Sequence, residues 1–271
     1  MVYLEFETKQ FDGPYEVSEI QINNLRGILY FPPKSFKKPY PLTIYFHGFP
    51  QLFPLIEIIK RYNFILDVGF ALMVFNFSGY RLSKGKVSIS NQVGDALEII
   101  KFVKKMALHN LFTLNDINII AHDFGAYIAL ILSSKIRIIN KLLLISPILD
   151  LNIKVDSENF RRALQYINRF LPGNVQGIEN VDEFIQMTKN ELSQKEFQID
   201  KNIKKLKNKK LKVIIGEIDK ITPMNKVISI LQESNITPEI AVIKGMDHEY
   251  IEEKEFEDLK EKILKFFMKI K

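Results

Sequence analysis

The stretch INIIAHDFGAYIALIL, residues 117–132, passes from an apolar β-type run directly into a helical pattern. The pattern changes at Asp123, and the small residues Ala121 and Gly125 stand two positions before it and two after it. A sharp turn from strand to helix needs small residues at these places, because larger side chains would collide across the turn. The segment therefore predicts a carboxylate exposed at the tip of a tight turn. A plain helix N-cap, a common role of Asp, is the alternative.

On both sides of this turn, apolar runs alternate with helical patterns, which predicts an α/β fold with a mostly parallel sheet and helices on both faces. The predicted buried strands are PLTIYF (41–46), FALMVFNF (70–77), INIIA (117–121), KLLLIS (141–146), LKVIIG (211–216) and EIAVIK (239–244). The earlier runs VYLEFETK (2–9), VSEIQIN (17–23) and RGILYF (26–31) predict antiparallel strands at one edge. We expect a single domain over residues 1–271, built on an eight-stranded sheet.

The interval 150–208, between the strands KLLLIS and LKVIIG, breaks this alternation because it holds two or three helical stretches. Insertions of this length in a compact domain are usually functional. We expect a helical lid inserted after strand six. Its residues Phe160, Phe170 and Phe184 indicate an apolar pocket and a small apolar organic substrate.

The amino-acid composition indicates which partners the protein binds and where in the cell it is expected. The net charge of +6 comes mostly from lysine, which is densest in KNIKKLKNKKLK, residues 201–212. Such a run indicates either a nucleic-acid or membrane surface or a solvated helix; Ile203 and Leu206 at helical spacing, without interleaved aromatics, favour the helix. We expect no nucleic-acid or membrane partner and leave a homo-oligomer open.

The absence of cysteine and of a signal peptide predicts a cytoplasmic protein, and the abundance of Ile, Lys and Glu suggests a thermophile.

Two further signals also follow predicted strands, where open α/β sheets place their ligands. The first is His47-Gly48-Phe49-Pro50, for which a turn with a core histidine is the alternative. The second is an acid followed by a histidine, namely Asp219 after LKVIIG and His248 after EIAVIK. The order nucleophile, acid, histidine is that of the α/β-hydrolase fold. Asp150, directly after KLLLISP, is an alternative acid.

The histidines and the lack of metal motifs complete the candidate site. Of the four histidines, only His248 follows the last predicted strand; we expect His109 on a surface loop and His122 in a packing role. Asp247 is expected to cap the final helix. No ligand spacing such as H-E-x-x-H occurs, so the sequence implies no metal and no cofactor.

Over roughly residues 20–271 the chain resembles the α/β-hydrolase superfamily. HGFPQ together with AHDFGA is most similar to epoxide hydrolases and haloalkane or haloacid dehalogenases, which use an aspartate nucleophile, whereas FNFSGYRLSKGKVS (75–88), GEIDKITP and GMDHEY resemble serine esterases and acyl-peptidase-like hydrolases. The resemblance implies a triad of Asp123, His248 and Asp219. It also implies an oxyanion hole formed by the backbone N–H groups of Phe49 and Phe124.

The chemistry of a carboxylate nucleophile helps to choose between the epoxide hydrolases and dehalogenases on one side and the esterases and peptidases on the other. A carboxylate that attacked an ester would give a reactive mixed anhydride, whereas attack on an sp³ carbon gives an ordinary ester held on the enzyme. Asp123 therefore favours an epoxide or halide substrate, with His248 activating water in a second step. The chain lacks the tryptophan on which halide binding relies in the dehalogenases. An epoxide needs a proton donor, usually a lid tyrosine in the family, and Tyr166 is the only lid candidate. A core position on its helix is the alternative for Tyr166.

Two other functions remain open. One is a non-catalytic relative of ester or peptide hydrolases in which Ser was replaced by Asp123. The other is an esterase in which Asp123 acts as a general base for water.

Overall fold

The computed structural model describes residues 14–51, 53–207, 209–250 and 252–268. The strands are β1 (Val17–Ile22), β2 (Leu25–Tyr30), β3 (Tyr40–Phe46), β4 (Ala71–Asn76), β5 (Phe112–His122), β6 (Ile139–Ile145), β7 (Lys210–Gly216) and β8 (Glu239–Ile243). The helices are α1 (Leu55–Tyr62), α2 (Ile89–Leu108), α3 (Phe124–Lys135), α4 (Leu151–Val155), α5 (Glu158–Phe170), α6 (Val181–Ser193), α7 (Ile199–Ile203), α8 (Met224–Glu233) and α9 (Glu253–Met268). None of these helices is long and apolar enough to cross a membrane. The predicted strand VYLEFETK lies outside the described residues.

The eight strands form one sheet in the order β1-β2-β4-β3-β5-β6-β7-β8. The pairs β1–β2 and β2–β4 are antiparallel, and all other neighbouring pairs are parallel. The predicted mostly parallel sheet with an antiparallel edge is therefore confirmed.

Each face of the sheet packs on its own apolar cluster, because successive side chains of a strand point to opposite faces. In β3, Leu42, Ile44 and Phe46 join a cluster with α2 and α3, while Tyr45 joins a second cluster with α1 and α9. Helices thus cover both faces. Helix α3, which begins directly after Asp123, is buried on nearly its whole circumference, because it lies between the sheet and neighbouring helices.

Two strands differ from the sequence prediction. Strand β5 begins at Phe112, not at residue 117, because Phe112 pairs with Tyr40 of β3. Strand β8 was expected to be buried on both faces. Among the described residues it is instead one of the two outer strands of the sheet, and the side chains of Ile240 and Val242 are 38 % and 41 % exposed.

The predicted insertion, residues 150–208, contains α4 to α7 and follows the sixth strand. Backbone hydrogen bonds join it to the loop after β4: Gln176 N–H donates to Gly79 O (2.7 Å), and Val87 N–H donates to Gln176 O (2.9 Å). A second anchor is Glu191 of α6, whose buried carboxylate accepts hydrogen bonds from the N–H groups of Ile89 and Ser90 at 2.8 and 3.0 Å. These donors belong to the first turn of α2, which favours a negative charge. These contacts help to hold the insertion to the sheet domain.

The lysine-rich run 201–212 takes the expected helical form in part. It covers the end of α7 and a 3-10 turn, and Ile203 and Leu206 are buried. Lys212 lies in β7, where it is buried and pairs with Glu239.

Candidate active site

The turn between β5 and α3 holds Asp123 in a strained backbone conformation, with φ 52° and ψ −121°. Such a conformation is rare for a residue with a Cβ and persists only where the surroundings enforce it. Here the N–H of Asp123 donates to Ile145 O at 3.1 Å, and its carbonyl accepts from Ala126 N and Ile148 N. Asp123 makes no side-chain cap hydrogen bond to α3. The carboxylate is therefore available for contacts with residues outside α3.

Gly125 allows the turn to pack against β3. A Cβ at this position would lie 2.4 Å from the carbonyl oxygens of both Phe46 and His47, whereas a Cβ at Gly94 in α2 would meet nothing within 4 Å. We expect Gly125→Ala to lower the free energy of unfolding by about 2 to 3 kcal/mol, as overpacking against backbone does. Gly94→Ala is the matched control, and it should raise stability by about 0.5 to 1 kcal/mol through helix propensity. Urea unfolding of both variants tests this, and equal effects would contradict the packing role.

Asp123, His248 and Asp219 come together at the carboxyl ends of their strands, and all three are buried. His248 Nε2 lies 3.3 Å from Asp123 Oδ1, and His248 Nδ1 lies 3.1 Å from Asp219 Oδ2. Asp219 is itself fixed by the N–H of Ile221 at 2.9 Å and by the hydroxyl of Thr222 at 2.5 Å. The imidazole is therefore held between two carboxylates in one defined orientation.

Burial opposes charge on each of these groups, but their mutual contacts outweigh it. Burial would raise the pKa of Asp123, yet the hydrogen bond and charge of His248 hold it below its usual value. Burial would lower the pKa of His248, yet the hydrogen bonds and charges of Asp123 and Asp219 raise it to about 10. The pKa of Asp219 is lowered too, because hydrogen bonds from His248 and Thr222 outweigh burial. The resting site is an imidazolium between two carboxylates.

The second oxygen of Asp123 accepts a backbone hydrogen bond. Phe49 N–H donates to Asp123 Oδ2 at 2.7 Å. Phe124 is the first residue of α3, where an N–H has no acceptor within the helix. His47 supports the loop before Phe49: its buried Nε2 accepts from Phe77 N–H, and burial lowers the pKa of His47 to about 4, which keeps the ring neutral. Asp123 thus has one oxygen in a donor site and the other facing His248.

A cavity of about 470 Å³, here called the front cavity, opens beside Asp123 and His248. Helices α4 to α6 form one side of it, and Phe49, Phe160 and Phe184 form an aromatic wall with ring centroids 5.9 to 6.4 Å apart. Charged side chains also line it: Asp150, Lys154, Lys220, Lys226 and Glu249. The wall favours an apolar group next to the carboxylate.

Three expected site residues have other positions. Tyr166 is 59 % exposed and packs on Phe170, which is itself 57 % exposed, so α5 turns both rings away from the front cavity. Tyr166 is neither at the site nor in the core, and Phe170 does not line the pocket. Asp150 lines the front cavity, but Asp219 makes the contact with His248 Nδ1.

The predicted roles of His109 and His122 match the structure. His109 caps the end of α2 and is exposed. His122 is buried, where its Nε2 lies 3.0 Å from His248 O and its ring contacts Tyr250. Asp247 does not cap α9 as expected: its carboxylate accepts hydrogen bonds from the N–H groups of Glu249 and Tyr250, which precede the helix.

Sequence reasoning missed a second cavity, of about 340 Å³, on the other side of Asp123. We call it the back cavity; its lining includes Gln51, Arg61, Tyr62, His122 and Tyr250. The position of Gln51 directly after His47-Gly48-Phe49-Pro50 was the one available signal. No group of three or more metal-ligating side chains occurs among the described residues.

Solved structures share this fold over nearly the whole chain. Est1E from Butyrivibrio proteoclasticus, solved with bound ferulic acid, matches with a TM-score of 0.70 at 18 % identity over 93 % of this chain and 98 % of its own. The α/β hydrolase GrgF from Penicillium sp. matches with a TM-score of 0.68 at 16 % identity, over 95 % of this chain and 99 % of its own. A Pyrococcus furiosus esterase matches with a TM-score of 0.63 at 17 % identity, over 94 % of this chain and 90 % of its own. No protein-family model and no curated protein sequence matches. The chain therefore has the α/β-hydrolase fold, as the sequence predicted.

Proposed function

We propose that this protein is a hydrolase in which Asp123 attacks an sp³ carbon of an epoxide and forms an ester on the enzyme. The observation that carries the proposal is the hydrogen bond from Phe49 N–H to Asp123 Oδ2 at 2.7 Å. It leaves Oδ1 as the attacking atom. It also places a donor where negative charge develops when water later attacks the ester of Asp123 itself.

The same hydrogen bond argues against attack on a carboxylic ester. An ester substrate needs the oxyanion donors for its own carbonyl oxygen, but here Asp123 occupies the Phe49 donor. A Cβ at Gly48 would lie only 2.6 Å from Oδ2, so the loop fits closely around this carboxylate. The mixed anhydride that would follow is a further disadvantage.

In the first step, Asp123 Oδ1 forms a bond to an epoxide carbon while the carbon–oxygen bond of the ring breaks. The alkoxide that leaves takes a proton from His248 Nε2, which lies 3.3 Å from Oδ1 and is protonated in the resting site. His248 thereby performs the task expected of Tyr166. A halide would need no such proton and would rely on donors such as the missing tryptophan.

In the second step, His248 removes a proton from water, and hydroxide adds to Cγ of the Asp123 ester. The Phe49 and Phe124 N–H groups stabilise the oxyanion, each by about 3 kcal/mol. The ester bond breaks, the alkoxide takes the proton from His248, and a diol leaves; the proton left on the Asp123 carboxyl group then passes to His248, which restores the resting site. Esterification removes the negative charge of Asp123, so the pKa of His248 falls and the imidazole becomes a base when it is needed. The sum is epoxide plus water to diol.

Helices α4 to α7 act, in this proposal, as a fixed cap that shapes the apolar pocket. The two anchors at Gln176 and Glu191 support a cap that stays attached to the sheet domain during turnover.

A second candidate is ester hydrolysis with Asp123 as the general base for water. The likeness of the fold to esterases favours it. The two candidates separate on substrates: we expect turnover of styrene oxide and none of p-nitrophenyl acetate. Hydrolysis of the ester without turnover of the epoxide would overturn the proposal in favour of the second candidate.

The pKa shifts predict the pH dependence of kcat/KM for an epoxide. The free enzyme needs ionised Asp123 and protonated His248, so the profile should be flat through neutral pH and fall as His248 loses its proton near pH 10. The same raised pKa stabilises the fold fully below pH 6.5, and this contribution is lost as the pH rises through about 10. Asp219→Asn removes one of the charges that raise the pKa, so it should move the alkaline limb to lower pH. An alkaline limb that stays in place in this variant would contradict the assignment.

A further inference from the structure

Asp123 stands between two cavities of different chemistry. The front and back cavities share Phe49, Pro50, Asp123 and Glu249 in their linings. The front cavity has the aromatic wall described above. A carbon bonded to Asp123 therefore has space on two sides, and the substituents it carries need not be alike.

The back cavity has polar walls. The hydroxyl of Tyr250 lies 3.3 Å from that of Tyr45 and 3.1 Å from that of Tyr62, and all three tyrosines are buried. These hydroxyls are protonated at neutral pH, because burial raises the pKa of each one. Such a chain can donate or accept a hydrogen bond where it meets a ligand.

Gln51 gives the sharper indication. Its side chain is buried (5 % exposed) and lines the back cavity, yet its Nε2 has no hydrogen-bond partner among the described residues. A buried donor without an acceptor costs about 1 to 3 kcal/mol. A ligand with a hydrogen-bond acceptor would remove this penalty.

The charges around the back cavity favour a neutral ligand. Asp123, Glu249 and Glu253 line it, so an additional anion would be repelled. Of the two cations, Lys60 pairs with Glu57, and Arg61 stacks on the rings of Tyr250 and Phe256. A hydroxyl group suits this environment, because it accepts from Gln51 and donates to a neighbouring oxygen without adding charge.

We propose that the back cavity is a second substrate subsite, which binds a hydroxylated substituent through Gln51 while the apolar substituent lies in the front cavity. The substrate class is then an epoxide with an apolar group on one ring carbon and a hydroxylated group on the other. This inference rests on the proposed function for the position of the reacting carbon. The test is designed so that a failure of the subsite can be distinguished from a failure of the proposed function.

The test uses two compounds that differ by one hydroxyl. 3-Phenylglycidol carries a phenyl group and a hydroxymethyl group on its two epoxide carbons, and β-methylstyrene oxide has a methyl group instead. We expect the wild-type kcat/KM to favour 3-phenylglycidol by about tenfold, the effect of one buried hydrogen bond. Gln51→Met removes the donor and should bring this ratio close to one. Gln186→Met, on the exposed side of α6, is the control and should keep the ratio.

Binding provides the independent measurement. Asp123→Asn keeps the shape of the site without turnover, and its affinity for the two compounds can be measured by calorimetry. A tenfold preference for 3-phenylglycidol that is lost on adding Gln51→Met supports the subsite, even if the wild type converts neither compound. Equal affinities, or a preference that survives Gln51→Met, would overturn the subsite whatever the fate of the proposed reaction.

Discussion

Asp123→Asn is expected to reduce epoxide turnover by a factor of about 10⁴ or more, because it removes the nucleophile on which both chemical steps depend. An amide has no negative charge and is a poor nucleophile at carbon. The amide oxygen of Asn can still accept the hydrogen bond from Phe49 N–H, so the turn should keep its shape. Steady-state assays with an aryl epoxide measure the loss.

Thermal unfolding and NMR serve as controls for this variant. The melting temperature should change little, while the pKa of His248 should fall because one of its two carboxylate neighbours has lost its charge. Epoxide hydrolysis at the wild-type rate in a folded Asp123→Asn protein would contradict the nucleophilic role. Ester hydrolysis that persists in both the wild type and Asp123→Ala would contradict every role assigned to Asp123.

His248→Gln is expected to stop the reaction after the first step. The glutamine amide has no proton to give up, so the leaving alkoxide must take one from solvent and ester formation slows as well. The ester then has no base to activate water, so its hydrolysis should slow further, by about 10² to 10⁴. Intact-protein mass spectrometry should then find one substrate mass added per chain. Peptide analysis should place this mass on Asp123.

The exposed His109 offers a matched control for this substitution. His109→Gln should turn over normally and accumulate no adduct. If His248→Gln carries the added mass on a residue other than Asp123, or converts the epoxide to the diol at the wild-type rate without any adduct, the two-step mechanism is wrong.

The sequence predicts the fold well because buried parallel strands have a strong local signature. Apolar runs such as those of β3 and β7 are at most a residue from their predicted starts. The beginning of β5 at Phe112 was missed, because Phe112 joins the strand by pairing with Tyr40, which is far away in the sequence. The exposure of β8 was missed for a similar reason: strand order, not apolar content, makes it an outer strand.

The site was predictable where backbone geometry demands particular residues. Ala121 and Gly125 mark the turn, and chain order pointed to Asp219 and His248, which the structure brings to Asp123. The lid was less predictable. Helical spacing gives the faces of α5, but it does not say which face meets the sheet, so Tyr166 was assigned to a pocket from which the helix turns it away. The hydrogen bond between Phe49 and Asp123 Oδ2 joins loops 74 residues apart and has no local signature.

The resemblance to epoxide hydrolases remains a prediction, and one measurement tests it most directly. A single turnover of an aryl epoxide in ¹⁸O-labelled water, with enzyme in excess, should place one labelled oxygen in the side chain of Asp123, because water attacks Cγ of the ester. The diol from this first turnover should carry no label. A diol in which every molecule carries one labelled oxygen, with an unlabelled Asp123 peptide, would mean that water attacks the substrate directly, which would contradict the proposed mechanism.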